Sequence, residues 1–162
     1  KTMPELMKLL HNNDLDLSFG ITTDGECDWV EQKPVLQYRL CAVMRDTHPL
    51  SGRQTLSFSD LRMQRIILPE AGIRDQNAAE HFLTSKAKEL RNCVFINDVN
   101  AILNILKMSN CVSILPEHIA EGDDGLVAVP ISELDEPFTS MAYVKKCSFR
   151  KKSIDAFLGM LQ

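Results

Sequence analysis

Between Arg65 and Pro116 the chain switches repeatedly between two hydrophobic periods, and this alternation limits the fold more than any other feature of the sequence. Arg65–Leu68 is a short branched-apolar run that predicts a strand, closed by Pro69-Glu70-Ala71-Gly72. A helix is predicted to begin near Asp75, with Ala79, Phe82, Leu83, Ala87 and Leu90 on one face. Cys93–Ile96 predicts a second strand, and Asp98 has the place of an N-cap for a helix over Val99–Met108 with Ile102, Ile105 and Leu106 on its apolar face. Cys111–Leu115 predicts a third strand, after which Pro116 opens a short helical turn ending at Gly122. Strands that alternate with helices over short loops argue for parallel pairing through right-handed crossovers, and so for an α/β fold.

The flanking segments continue in the same style. Met3, Leu6, Met7 and Leu10 fall at i, i+3, i+4 and i+7 and predict an N-terminal helix ended by Asn12-Asn13; Thr2 and Glu5 have the spacing of a capping box, and Pro4 is tolerable in a first turn. Leu15–Ile21 reads as a buried strand. An extended stretch Val35–Met44 follows Pro34 and is broken by Thr47-His48-Pro49-Leu50-Ser51-Gly52. After Gly122-Asp123-Asp124-Gly125 come strands over Leu126–Ile131 and Thr139–Val144, then a closing helix with Ile154, Phe157, Leu158 and Leu161 on one stripe. This order predicts that 62–132 forms its own small βαβαβ layer while 1–61 and 133–162 come together as a second lobe. The chain would cross between lobes near Leu61–Gln64 and near Ile131–Pro137, making a hinge with a cleft. In open α/β sheets, ligands sit beyond the carboxyl ends of the strands, where helix N-termini point.

Composition excludes several classes of function. In 162 residues no apolar run approaches the roughly 20 needed to cross a bilayer, and Lys1–Glu5 does not resemble a signal peptide. The net charge of −4 disfavours nucleic-acid binding by this chain itself. Its one basic cluster, Lys145, Lys146, Arg150, Lys151 and Lys152, reads as a solvated helix start. The cysteines Cys27, Cys41, Cys93, Cys111 and Cys147 form neither a disulfide framework nor a metal-ligand pattern, which points to a reducing cytoplasm. Cys41, Cys93 and Cys111 lie in strand-like runs where a free thiol acts as a small hydrophobe. His11, His48, His81 and His118 are far apart, and no GxSxG, HExxH, P-loop or GxGxxG occurs, so no catalytic residue, metal site or cofactor is expected.

Four segments carry a resemblance. They are Leu6–Ile21 (LMKLLHNNDLDLSFGI), Leu40–Leu50 (LCAVMRDTHPL), Leu56–Leu68 (LSFSDLRMQRIIL, with Ser-x-x-Asp-Leu) and Val99–Pro116, ending NCVSILP. In this order and spacing, across nearly the whole chain, they resemble the effector-binding domain of LysR-type transcriptional regulators. That family usually has Gly-x-Gly where Ser109 and Cys111 stand here, so this turn is made without glycine. The resemblance implies a two-lobed type II periplasmic-binding-protein-like fold, with central mixed, mostly parallel sheets joined by two hinge strands. It also implies that 1–61 with 133–162 is regulatory lobe I, 62–132 is lobe II, and a strand, a helix and a second strand precede Thr2 in the family. A winged helix-turn-helix that reads DNA would lie further upstream.

Candidate ligand contacts are the helix starts facing the expected cleft, because unpaired N–H groups and the positive helix end favour an anion. The first is Gly72-Ile73-Arg74-Asp75-Gln76-Asn77: Arg74 offers a bidentate donor, while Asp75, Gln76 and Asn77 can cap or bond. The plainer alternative is that Asp75 only caps and Arg74 is a surface charge. Asp98-Val99-Asn100 is the second, where the plainer alternative is an N-cap followed by a core valine. By the resemblance, Thr2 lines the pocket and Thr22-Thr23 lie at its rim. Peroxide-sensing relatives carry a reactive cysteine pair near the first of these helices, and Gly72–His81 contains no cysteine.

The function expected from this reading is metabolite sensing in the cytoplasm: a small, anionic effector binds between lobes and modulates DNA binding by domains outside this chain. Homodimers or tetramers are implied by the resemblance, and no membrane partner is expected. The alternatives are a transport-type solute-binding protein and a two-lobed enzyme of the same fold.

Overall fold

The computed structural model describes residues 3–21, 28–69, 90, 92–146 and 151–161. The predicted helix from Asp75 lies outside these residues, apart from Leu90, which is buried. Contacts divide the chain into two units, residues 1–37 with 138–162 and residues 38–137. The chain therefore passes from one unit to the other at 37–38 and at 137–138.

In the first unit, helix α1 (Met3–His11) leads into strand β1 (Leu17–Ile21), which with β2 (Val30–Tyr38) and β8 (Phe138–Lys145) makes a sheet ordered β1-β8-β2. β1 runs antiparallel to β8, with Leu17 opposite Val144 and Ile21 opposite Ser140. Alternate residues of a strand face opposite sides. Tyr143 and Met141 accordingly pack with Val30 against Met3, Leu6, Met7 and Leu10 of α1. Ala142 and Val144 pack instead against Leu158 of the closing helix α4 (Lys152–Met160), with Ile154 and Leu161 alongside. The predicted stripes on both helices are thus the buried faces, except that Phe157 remains 41% exposed. Lysines finish both helices: Lys145 Nζ donates to the His11 carbonyl (2.6 Å) and Lys33 Nζ to that of Leu158 (2.9 Å), satisfying acceptors that a helix end leaves open. Asn13 takes the left-handed conformation (φ 63°) just beyond α1. Of the basic cluster, Lys151 pairs with Asp16 at α4's start (2.7 Å), whereas Lys145 belongs to the end of β8.

The second unit is a five-stranded sheet ordered β5-β4-β6-β3-β7, built from β3 (Leu40–Arg45), β4 (Arg65–Pro69), β5 (Cys93–Ile96), β6 (Cys111–Pro116) and β7 (Leu126–Pro130). β4 is parallel to β5 and to β6, as the alternating pattern predicts, whereas β3 is antiparallel to both β6 and β7. One face carries Val43, Ile67, Leu115 and Leu126 under Ile102 and Leu106 of helix α3 (Val99–Met108). The other carries Ala42, Met44, Ile66, Leu68, Val112 and Ile114 under Leu56, Phe58, Leu61, Leu90 and Leu134. Pro116 precedes a single 3-10 turn, Glu117–Ile119, and Gly122 follows at φ 79°, open to glycine without strain.

Two expectations change here. The stretch Val35–Met44 is not one strand: β2 stops at Tyr38 and β3 starts at Leu40, and the two join different sheets. Consequently 62–132 does not make a layer alone, since β3 sits between β6 and β7, and the first crossing falls at 37–38 rather than near Leu61–Gln64. The physical cause is burial. Cys41–Met44 are buried on both faces, so residues 38–61 belong with the sheet that covers them. Residues 56–61 are pinned there by Leu56, whose N–H donates to the Pro130 carbonyl and whose carbonyl accepts from Ser132 N–H, both at 2.8 Å. The Ser-x-x-Asp-Leu segment is a capping box on helix α2 (Phe58–Leu61): Asp60 N–H donates to Ser57 Oγ and Ser57 N–H to Asp60 Oδ2. These Ser57 hydrogen bonds hold the Asp60 carboxyl below its usual range.

Leu106→Ala is expected to cost about 2–5 kcal/mol, because Leu106 is fully buried between α3 and the sheet, and urea unfolding measures it. A second prediction concerns His48, 3% exposed, in the Thr47–Gly52 turn, with Pro49 at the position such turns favour. Its Nδ1 accepts the Leu50 N–H (3.1 Å), and burial pushes its pKa below 6.5, with the Asn110 backbone opposing and Arg45 assisting. The unfolded chain therefore binds the proton more readily. His48 contributes stability that is present above pH 6.5 and is lost as pH falls through its lower folded value. His48→Asn, which keeps an acceptor for the turn, should flatten the fall in thermal midpoint below pH 6.5.

Candidate functional site

Strand direction selects one edge of the five-stranded sheet. β4, β5 and β6 are parallel, and β7 runs with them because both β6 and β7 oppose β3. The carboxyl ends of these four strands, Pro69, Ile96, Pro116 and Pro130, therefore share an edge with Leu40, where β3 begins. Pro69 is directly opposite Ile96 in the β4–β5 register. The chain thus enters 70–89 from the strand beside the one that feeds Asn97 and Asp98.

Of the candidate residues, Asp98, Val99 and Asn100 are described, while Thr2, Thr22, Thr23, Gly72, Arg74, Asp75, Gln76 and Asn77 lie outside the described residues. Asp98 caps α3: its Oδ1 accepts from Asn100 N–H (2.8 Å) and Ala101 N–H (3.2 Å). Two donors at this helix end are thereby taken by a carboxylate, so a ligand anion arriving there meets a like charge as well as the positive helix end. Val99 is 39% exposed, which goes against the plainer alternative of a core valine. The valine follows the cap on the outer side of the helix, while Ile102 and Leu106 take the buried side. Asn100 is exposed beside it.

The same edge gathers residues that sequence spacing does not connect. Glu117 N–H donates to the Arg39 carbonyl (2.9 Å), and Arg39 N–H donates back to Glu117 Oε1 (3.3 Å). Tyr38 meets His118 edge to face, with ring centroids 5.8 Å apart. These pairs span almost eighty residues of sequence and are brought together by the antiparallel β3–β6 ladder, in which Leu40 lies opposite Pro116. The only sequence signal for them is Pro116, which ends the strand and so exposes Glu117 and His118. Just inside the edge, burial and then the Glu117 carboxylate push the Cys41 thiol up to about 11, against a smaller opposing effect of Arg39. Cys41 therefore stays protonated and serves as core, and burial raises Cys93 too. Among the described residues no group of three or more His, Cys, Asp or Glu is placed to hold a metal ion, and no helix is long and apolar enough to cross a membrane.

Comparison with known proteins places this geometry in context. The family model described as LysR substrate binding domain matches residues 1–162. The malolactic fermentation system transcriptional activator of Lactococcus lactis is 28% identical over 98% of this chain, which spans 55% of that protein's length. Among solved structures, the regulatory domain of CcmR from Synechocystis PCC6803, in complex with 2-PG, superposes with a TM-score of 0.74 at 18% identity, covering 97% of this chain and 76% of that one. The effector binding domain of a BenM variant gives 0.73 at 16%, covering 99% and 77%. At these identities the structures establish a shared fold.

Replacing the α3 cap separates its structural role from ligand contact. Asp98→Ala is expected to lower stability by about 0.5–2 kcal/mol and Asp98→Ser to recover most of it, as read from thermal unfolding.

Proposed function

We propose that this chain, which belongs to the LysR substrate binding domain family, is the effector-sensing part of a transcriptional regulator and holds a small anionic metabolite. The observation that carries the reading is the extent of the family match, from the first residue to the last. The chain's carboxyl-edge geometry supports it: β4 and β5 end level and release the two segments that carry the candidate contacts. Gly72, Arg74, Asp75, Gln76 and Asn77 would follow β4, and Asp98, Val99 and Asn100 follow β5. Arg74 would supply the cation that an anionic effector needs. The similarity to a regulatory domain solved with 2-PG favours a small ligand.

Sensing requires that the effector bind two arrangements of the protein with different affinity, commonly a coupling of about 1–3 kcal/mol. The readers of that difference would be a helix-turn-helix ahead of this chain and the partner subunits of a cytoplasmic homodimer or tetramer. Because the chain spans about half of the malolactic activator, the natural reading frame is expected to carry such a DNA-binding segment upstream.

The test uses the full-length protein. Small carboxylates and phosphorylated acids are screened by thermal shift, and each stabilising compound is then titrated against operator binding in a mobility-shift assay. Arg74→Ala is expected to raise the half-maximal effector concentration about 10- to 100-fold, the loss of one hydrogen bond to a charged group, while leaving effector-free DNA binding unchanged. An unaltered effector response removes Arg74 from the site. A reading frame without a DNA-binding segment removes the regulator reading.

A further inference from the structure

One cation of the second unit is held in place without being used by the fold. Arg39 comes directly after the crossing at 37–38 and directly before β3. Both of its backbone groups are taken by Glu117, whose N–H donates to the Arg39 carbonyl (2.9 Å) and whose Oε1 accepts from the Arg39 N–H (3.3 Å). On one side of it Tyr38 meets the His118 ring, and on the other Leu40 lies opposite Pro116 in the β3–β6 ladder. The backbone of Arg39 is therefore fixed from both directions. Its side chain is exposed, and the guanidinium makes no hydrogen bond or ion pair among the described residues. The Glu117 oxygen that could have paired with it is bonded to the backbone N–H instead. Five donors are left open on a residue whose Cα is already anchored, so less freedom is lost when they close on a ligand.

The position of Arg39 on the sheet defines what it can share a ligand with. β4, β6 and β3 are successive strands, so the end of β4 and the start of β3 stand about 10 Å apart on the carboxyl edge, two strand spacings. Arg74 comes five residues after the end of β4. A single carboxylate or phosphate group held at one of these strands is too small to engage an arginine at the other. The same edge carries the Asp98 and Glu117 carboxylates, which oppose any anionic group that is not itself held by a cation. A ligand with two anionic ends meets an arginine at each. We propose that Arg39 is a specificity-determining contact that takes the second anionic group of an effector whose first lies on Arg74. The effector class is then a dianion, either a dicarboxylate or a phosphorylated or phosphonylated carboxylic acid. This proposal rests on the effector-sensing reading and narrows it.

The experiment is a titration of the full-length protein with a graded series of probes. Straight-chain dicarboxylates from malonate to adipate, together with phosphonoacetate, are compared by calorimetry with the monoanions acetate and butyrate. At least one dianion is expected to bind about 10-fold or more tightly than the monoanion of like length. Arg39→Gln, in which the backbone bonds to Glu117 remain, is expected to bring that dianion to the affinity of the monoanion. Glu117→Gln keeps an oxygen for the Arg39 N–H while removing the opposing charge, and is expected to tighten the same dianion. The preferred length, and the contrast between dicarboxylate and phosphonate, identify the member of the class. Equal affinity for monoanions and dianions, no binding by any dianion of the series, or a dianion preference that survives Arg39→Gln overturns the proposal. Operator binding in a mobility-shift assay is read separately: where it persists the regulator reading stands although the proposal has failed, and where the full-length protein binds no DNA that reading fails instead.

Discussion

The larger unit depends on β3 being buried on both faces. Cys41, Ala42, Val43 and Met44 are each at most 2% exposed, with Ala42 and Met44 in one apolar layer and Val43 in the other. Among the described strands β7 pairs with β3 alone, so the strand that holds β7 also fixes Pro130, and through Pro130 the Leu56 segment that roofs one face. Loss of β3 would detach a strand, a cap and part of a core together. Insertion of a distant segment at the centre of a sheet also makes the unit non-local, since β3 must find β6 across some seventy residues. Contacts of such separation slow folding, because loop closure is completed before they reward it.

What could be read from the sequence divides along the same line. Most helices and strands of the described regions are predicted by their own periodicity, because a face that is buried on one side writes its period into the chain; the short helix Phe58–Leu61 and the start of β2 at Val30 are not. Ile102 and Leu106 below α3, and Leu10 and Leu158 below α1 and α4, are such cases. Sheet membership is a different kind of information. A run like Cys41–Met44, apolar at every position, records that both faces are covered and says nothing about which strands cover them. That is why Val35–Met44 reads as a single extended element although its two halves belong to different sheets. The plainer alternative for Val99, a core position, fails for a related reason. A branched residue after an N-cap suggests core, but the 100° step of the helix places the buried side at Ile102 and Leu106.

The site was legible to the same extent. Asp98 is recognisable because a cap is a local device, satisfied by the N–H groups two and three residues on. The pairing of Arg39 with Glu117 and of Tyr38 with His118 could not be anticipated, since nothing within either segment refers to the other. Only the register that sets Leu40 against Pro116 brings them to the same edge as the β4 and β5 ends.

That edge places a condition on any anionic ligand. The start of α3 is usually where an anion would be expected to settle, yet Asp98 already occupies two of its donors and contributes a negative charge of its own. Glu117 adds another carboxylate on the same edge, strong enough to help hold the Cys41 thiol protonated. Helix-end polarity worth a fraction of a kilocalorie to about 1 kcal/mol is opposed there by the full charge of the exposed Asp98. An anion bound there therefore needs a cationic side chain. Arg39, beside Glu117, and Arg74, five residues beyond the end of β4, are the arginines that the strand ends can deliver. Because guanidinium presents a fixed fork, the ligand that satisfies it is planar or tetrahedral at its charged end, as carboxylates and phosphates are.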